Sequence, residues 1–315
     1  MKKIISVILC SALVTAILVT MKIGLTPILM QDANYGSSNL KKTGAVDTLF
    51  VGSSMFRQGI ATHHLSNGND TYLLAFNGNQ PFAITLLIQE LINDGVQIDN
   101  LYVDMYAYSF TSEPKLSDER IVQGESLDFI LSVYRQMQQS GTAGIKELYN
   151  MVVKLNNEIF FTWPISYPII NSRYAKGAST TTNSGATAES LQKLSLKFGN
   201  EEPNPCQKES LQQLISLCKE NSINLVFLET PKYTYLYESD VYCSIMEQYI
   251  EFLDMYDCTQ ILSNKTADEC GIEADSAHII YDFDSDNPAY FTDLLHTSSD
   301  GRACLSEILK PILTQ

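Results

Sequence analysis

Thr48-Leu49-Phe50-Val51-Gly52-Ser53-Ser54-Met55 is a short apolar run stopped by a glycine, with two serines on the turn that follows. Such a run is the pattern of a strand buried on both faces of a parallel sheet. The same rhythm continues outward. Thr71 to Phe76 reads as a second strand closed by Asn77-Gly78-Asn79. Pro81 suits the first turn of a helix. Ile84, Leu87, Ile88, Leu91 and Ile92 then recur at helical spacing until Asn93-Asp94-Gly95 ends it. Leu101 to Met105 follows as a third strand. Strand, helix and strand at this spacing make a βαβ unit, so the expected fold class is α/β with a mostly parallel sheet.

Beyond residue 110 the rhythm is interrupted. Helices are expected at Ser126–Gln139 and Thr142–Leu155, an aromatic-rich stretch runs from Ile159 to Tyr174, and Lys176 to Ser190 has a loop composition. The block at about 111–200 reads as a helical, lid-like insertion. The α/β pattern returns with a helix at Gln207–Asn221, a strand at Asn224–Glu229 and a helix at Asp240–Tyr256. A strand at Ser276–Tyr281 and a last amphipathic helix at Ser299–Leu313 complete it.

The chain has 315 residues, 45% of them hydrophobic and 18% charged, which one α/β domain with an insertion can hold. Its formal net charge of −15 argues against nucleic acid and anionic lipid headgroups as partners. Lys2 and Lys3 precede an uncharged stretch, Ile4 to Met21, bounded by Lys22. Roughly 18 such residues just suffice to cross a bilayer core. Two readings follow: a signal-anchor transmembrane helix over residues 1–22, or a cleaved signal peptide and a secreted body. The first is preferred, because no small-x-small cleavage site follows. The basic start keeps the N-terminus cytoplasmic and sends the rest outside. Residues 23–45 then read as a stalk, and 46–315 as the extracytoplasmic domain. Six cysteines fall in the C-terminal third, from Cys206 to Cys304, without any C-x-x-C pair. In an exported chain that even count permits disulfides, while the bland alternative is small buried hydrophobes. No metal or other cofactor is expected from this pattern.

The strongest chemical signal joins the opening stretch to Phe291-Thr292-Asp293-Leu294-Leu295-His296. In a parallel α/β sheet ligands collect beyond the carboxyl ends of the strands, and Ser54, Asn77, Gly78, Asp293 and His296 all fall at such positions. A serine hydroxyl becomes a nucleophile when an imidazole takes its proton, and the imidazole is oriented by a carboxylate. Asp293 and His296, three residues apart, suit that pairing on a helical turn. An oxyanion needs donors, for which the N–H groups of Ser54 and Gly78 and the amides of Asn77 and Asn79 are the candidates. Taken alone, Ser53 or Ser54 could be an ordinary helix cap. His63 and His64 read as solvated, His278 as structural, and Tyr233, Tyr235 and Tyr237 as packing against the insertion. Asp104 ends a strand near the site and reads as a support for the serine turn or as a cap.

These two motifs make the chain resemble the SGNH (GDSL-type) hydrolase superfamily over roughly residues 46–110 and 205–315. The family's first block ends Gly-x-Ser, matched by Gly52-Ser53-Ser54, and its last is Asp-x-x-His, matched by Asp293 to His296. The resemblance implies a three-layer flavodoxin-like fold, Ser54 as nucleophile, His296 as base, Asp293 as its orienter and Gly78 in the oxyanion hole. The asparagine of the family's third block is absent, since Tyr106-Ala107-Tyr108 follows the third strand. Gly-Ser-Ser and the apolar N-terminus are most similar to the membrane-anchored branch containing the D-alanine transfer protein of teichoic acid synthesis and the alginate O-acetylation proteins. That branch implies a serine esterase or O-acyltransferase working on a cell-surface glycopolymer, partnered by a multi-spanning membrane O-acyltransferase. The alternative is a catalytically inactive scaffold on the same fold.

Overall fold

The computed structural model describes residues 6–17, 20, 36–65, 70–122, 125–151, 184–196, 200–256, 259–265, 270 and 278–313. Six strands form one sheet: β1 (Ala45–Gly52), β2 (Thr71–Ala75), β3 (Gln97–Asp104), β4 (Asn224–Leu228), β5 (Thr259–Asn264) and β6 (His278–Tyr281). Their order is β2-β1-β3-β4-β5-β6, and every neighbouring pair is parallel. The chain crosses over once, between β2 and β3, which makes the ends of β1 and β3 the switch point.

Alternation along the strands feeds two cores, as the strand period of two requires. Leu49, Val51, Leu101, Val103, Leu225 and Phe227 face one helical layer. That layer is built from α3 (Pro81–Asn93), α4 (Leu127–Gln139), α5 (Pro205–Glu220) and α6 (Asp240–Asp254). Phe50, Tyr102, Val226, Leu228 and Leu262 face the opposite layer, which holds α2 (Ser54–Gly59) and α7 (Ser299–Leu313). The sheet is thus covered on both faces, giving the three expected layers.

Three expectations need amendment. β5 was not foreseen, because its buried Ser263 and Asn264 break the apolar run. Ser263 Oγ lies 2.7 Å from His278 Nε2, and the Asn264 amide bonds Phe283 N–H and Ser285 Oγ, so both polar residues are satisfied indoors. Residues 36–43, expected as stalk, form helix α1 (Gly36–Thr43), with Leu40 fully buried. Ser37 donates to Glu125, and Lys41 reaches Glu125 at 2.6 Å and Asp94 at 2.8 Å, which ties α1 to the body. Part of the expected insertion is likewise core material: α4 buries Phe129, Ile130, Val133 and Met137, whereas Ile145 and Tyr149 are exposed. The stretch 159–174 lies outside the described residues, as does most of the expected loop.

Residues 6–17 are helical, with Val7, Leu9 and Leu13 exposed. Among the described residues no helix is long and apolar enough to cross a membrane. The expected span, Ile4 to Met21, lies partly outside them.

Candidate active site

β1 ends at Gly52, where the sheet leaves no room for a side chain: a Cβ would sit 2.4 Å from Asp104 Cβ and 2.9 Å from the Phe56 ring. That close approach brings the turn after β1 against the end of β3. Ser53 is the N-cap of α2, its hydroxyl accepting from Met55 N–H at 3.3 Å. It also donates both its N–H, at 3.1 Å, and its hydroxyl to Asp104 Oδ2. The capping role therefore falls to Ser53, and Ser54 is left to point its hydroxyl elsewhere.

That direction is His296. Its Nε2 lies 2.7 Å from Ser54 Oγ across 242 residues of sequence, and its Nδ1 lies 2.8 Å from Asp293 Oδ2. With Nδ1–H given to the carboxylate, Nε2 presents its lone pair to the serine hydroxyl. The Asp293–His296 segment is not the helical turn the spacing suggested. It is a bend closed by an antiparallel bridge between Phe291 and Thr297, with Thr292 N–H donating to His296 O at 2.8 Å. Asp293 Oδ1 shapes it by accepting the N–H groups of Leu295 at 2.8 Å and His296 at 2.9 Å. Burial works to raise the Asp293 pKa. The His296 ring and these two backbone donors outweigh it and hold the carboxyl below its ordinary value.

The expected oxyanion donors lie on the turn after β2, joined to β1 by Phe76 N–H donating to Gly52 O at 3.0 Å. Gly78 has φ +61°, a left-handed conformation, and Ser117 packs where its Cβ would stand. Asn79 is buried; its Oδ1 accepts from Gln80 N–H, and its Nδ2 has no hydrogen-bond partner among the described residues. Asn77 is exposed, and its N–H donates to Asp118 Oδ2 at 3.0 Å. Of the two side-chain amides, that of Asn79 is the buried one with an unpartnered Nδ2.

Beneath the turn lies a group the sequence did not single out. Lys232 and Glu229 are both fully buried just beyond β4, with Lys232 Nζ 3.3 Å from Glu229 Oε1 and bonded to Thr230. Tyr237 OH donates to the same Glu229 oxygen at 2.8 Å. Asp104 pairs with Leu228 in the β3–β4 ladder and so stands next to this cluster. Burial raises the Asp104 pKa, and the Lys232 charge and the Ser53 bonds only partly offset it. Tyr106, which follows β3, is pushed far up by burial, then by Asp104, Tyr108 and Asp293, and so stays a phenol. Tyr233 and Tyr237 are buried, while Tyr235 is partly exposed and accepts from Gln192 Nε2 at 2.8 Å.

No family model matches this chain, and no curated protein does. Among solved structures it is similar to a protein from Streptococcus pneumonia named for platelet activating factor, with 12% identity, 95% of this chain and 99% of the other covered, and a TM-score of 0.36. A protein from Bacteroides fragilis named as an acylhydrolase has 9% identity, coverage of 85% and 86%, and a TM-score of 0.39. A GDSL-like lipase from Bacteroides thetaiotaomicron has 10% identity, coverage of 87% and 89%, and a TM-score of 0.38.

Proposed function

We propose that the chain is a serine esterase or O-acyltransferase of SGNH type, acting on acyl esters of a cell-surface glycopolymer. The observation that carries this is the unbroken line Ser54 Oγ–His296–Asp293, with contacts of 2.7 Å and 2.8 Å. Ser54 Oγ attacks the ester carbonyl as His296 Nε2 takes its proton. The oxyanion is received by the N–H groups of Ser54 and Gly78 and by Asn79 Nδ2. His296 then returns the proton to the departing alcohol, leaving an acyl-Ser54 ester. Water or a sugar hydroxyl, deprotonated by the same imidazole, attacks that ester and frees the serine. Which acceptor arrives decides hydrolysis or transfer.

An extracytoplasmic, membrane-anchored setting is supported by Lys2 and Lys3 before the apolar N-terminal run and by the disulfide between Cys243 and Cys270. In that setting a multi-spanning membrane O-acyltransferase is the partner we propose as acyl donor.

Ser54→Ala should lower turnover of a short-chain 4-nitrophenyl ester by about 10⁴-fold or more. A fluorophosphonate probe should label Ser54 in the native protein and leave the variant unlabelled. An unchanged rate together with no labelling would reject the enzyme in favour of an inactive scaffold.

A further inference from the structure

Lys232 and Glu229 are fully buried beside the site, and the chemistry above gives neither a task. Lys232 cannot touch a substrate from there, so any part it plays must pass through its neighbours. An ammonium has three N–H donors, and three acceptors meet this one: Glu229 Oε1 at 3.3 Å, Thr230 Oγ1 at 3.0 Å and the Thr230 carbonyl. Glu229 is fixed in turn. Its Oε1 accepts from Tyr237 OH at 2.8 Å, its Oε2 from Asn264 N–H at 3.3 Å, and its carbonyl from Tyr281 OH at 2.6 Å. The Tyr237 oxygen also accepts Lys232 N–H at 3.2 Å. Residues 229–232 are thus a closed knot beyond β4, tied to β5 and β6. This knot touches both halves of the site. Its next residue, Tyr233, donates its N–H to Leu294 O at 3.1 Å, between Asp293 and His296. A Cβ on Gly59, the last residue of α2, would lie 3.6 Å from both Thr230 Cγ2 and Thr297 Oγ1. Thr230 therefore packs where the helix that starts at Ser54 meets the residue after His296. On the serine side, Asp104 holds Ser53 and pairs with Leu228, the residue before Glu229.

We propose that Lys232 is a positioning residue of the site: its ammonium locks the turn from Glu229 to Tyr233, and that turn holds Leu294 so that His296 stays within reach of Ser54. This rests on the esterase reading and deepens it. Stability alone does not call for a buried ion pair, since apolar side chains of similar volume usually hold a fold as well. What they cannot do is capture a carbonyl and a hydroxyl of one residue and so fix the direction in which the chain leaves it. Direction matters here. A shift of about 1 Å in the bend would take the 2.7 Å contact between His296 Nε2 and Ser54 Oγ out of hydrogen-bonding range.

The test uses Thr230, whose methyl and hydroxyl have different partners. Thr230→Val keeps the methyl that faces Gly59 and loses the hydroxyl that Lys232 holds; Thr230→Ser does the reverse. With the full-length chain and a short-chain 4-nitrophenyl ester, Thr230→Val should lower kcat about tenfold and leave KM unchanged. Thr230→Ser should keep kcat within about twofold of native. A role confined to packing predicts the opposite order. Lys232→Met combined with Glu229→Gln removes the ammonium without leaving a charged carboxylate alone in the core. Well below its melting temperature this double variant should lose about 10²-fold in kcat, again at unchanged KM, and fluorophosphonate should label its Ser54 more slowly. Native kcat in Thr230→Val overturns the proposal while leaving the esterase intact, and so does native kcat in the folded double variant. Should the double variant not fold, the two Thr230 variants decide. If the native protein cleaves no ester and Ser54 takes no probe, the esterase reading fails and the positioning role falls with it.

Discussion

Asp104 accepts both donors of Ser53 on one oxygen, and its other oxygen, Oδ1, is buried with no hydrogen-bond partner among the described residues. Two consequences follow. The first is positional: the carboxylate fixes the residue before Ser54, the proposed nucleophile, so Asp104→Ala strands two buried donors and should cost roughly 2–4 kcal/mol, with a fall in kcat. The second is electrostatic. Burial raises the Asp104 pKa above its ordinary 3.8, so the folded protein holds this proton more tightly than the unfolded chain. Its stabilising contribution is complete below that ordinary value and is lost as pH rises through the folded pKa. Asp104→Asn keeps an oxygen for both Ser53 donors and removes the charge. Its unfolding free energy, relative to the native protein, should therefore improve from about pH 4 upward, read by urea titration across pH. A difference flat in pH would mean that the ionised carboxylate is not penalised there. Ser54, Asp293 and His296 were legible in the sequence because their types, order and flanking strands are all local signals. Lys232 and Glu229 were not: a lysine after Thr230-Pro231 reads as a solvated turn residue, and only tertiary packing buries it.

At the scale of elements, the turn between β1 and α2 carries the site, and Gly52 is what lets β1 and β3 close on it. Because both strands are locked in the ladder Phe50–Tyr102 and Val51–Val103, neither can retreat from a new methyl group. Gly52→Ala should therefore cost about 1–3 kcal/mol by overpacking. It should also displace the Ser53–Asp104 contact, so kcat should fall further than the stability loss alone explains when measured well below the melting temperature. A variant with native stability and native kcat would show that the approach relaxes freely. The strand-turn pattern at residues 48–55 is legible in the sequence alone. The bend at 292–296 was announced only in its residues. Its shape comes from Asp293 accepting two backbone N–H groups and from the bridge to Thr297, a competition with helical hydrogen bonding that spacing alone does not resolve.

At the scale of the molecule, the βαβ rhythm was enough to foretell a parallel sheet covered on both faces, whereas the edge beyond β4 depends on buried polar pairs that no apolar pattern records. That edge is also where the Cys243–Cys270 disulfide lies, closing a loop of sequence separation 27 between α6 and the β5–β6 connection. Cross-linking over such a length restricts the unfolded chain and is worth about 3.5 kcal/mol in the loop-entropy account. Replacing both cysteines, Cys243→Ser with Cys270→Ser, should lower the unfolding free energy by that order. The contacts of Ser54, His296 and Asp293 do not pass through the bridge, yet β6 leads directly into the segment that holds Asp293 and His296. The double variant should therefore keep its kcat at low temperature and lose activity at a lower temperature than the native protein, with inactivation tracking unfolding by circular dichroism. Dithiothreitol should shift the native protein to the same temperature and leave the double variant unmoved. If the reductant acts on neither the native melting temperature nor its activity, the bridge contributes nothing to holding this edge, and its support for an oxidising compartment is withdrawn.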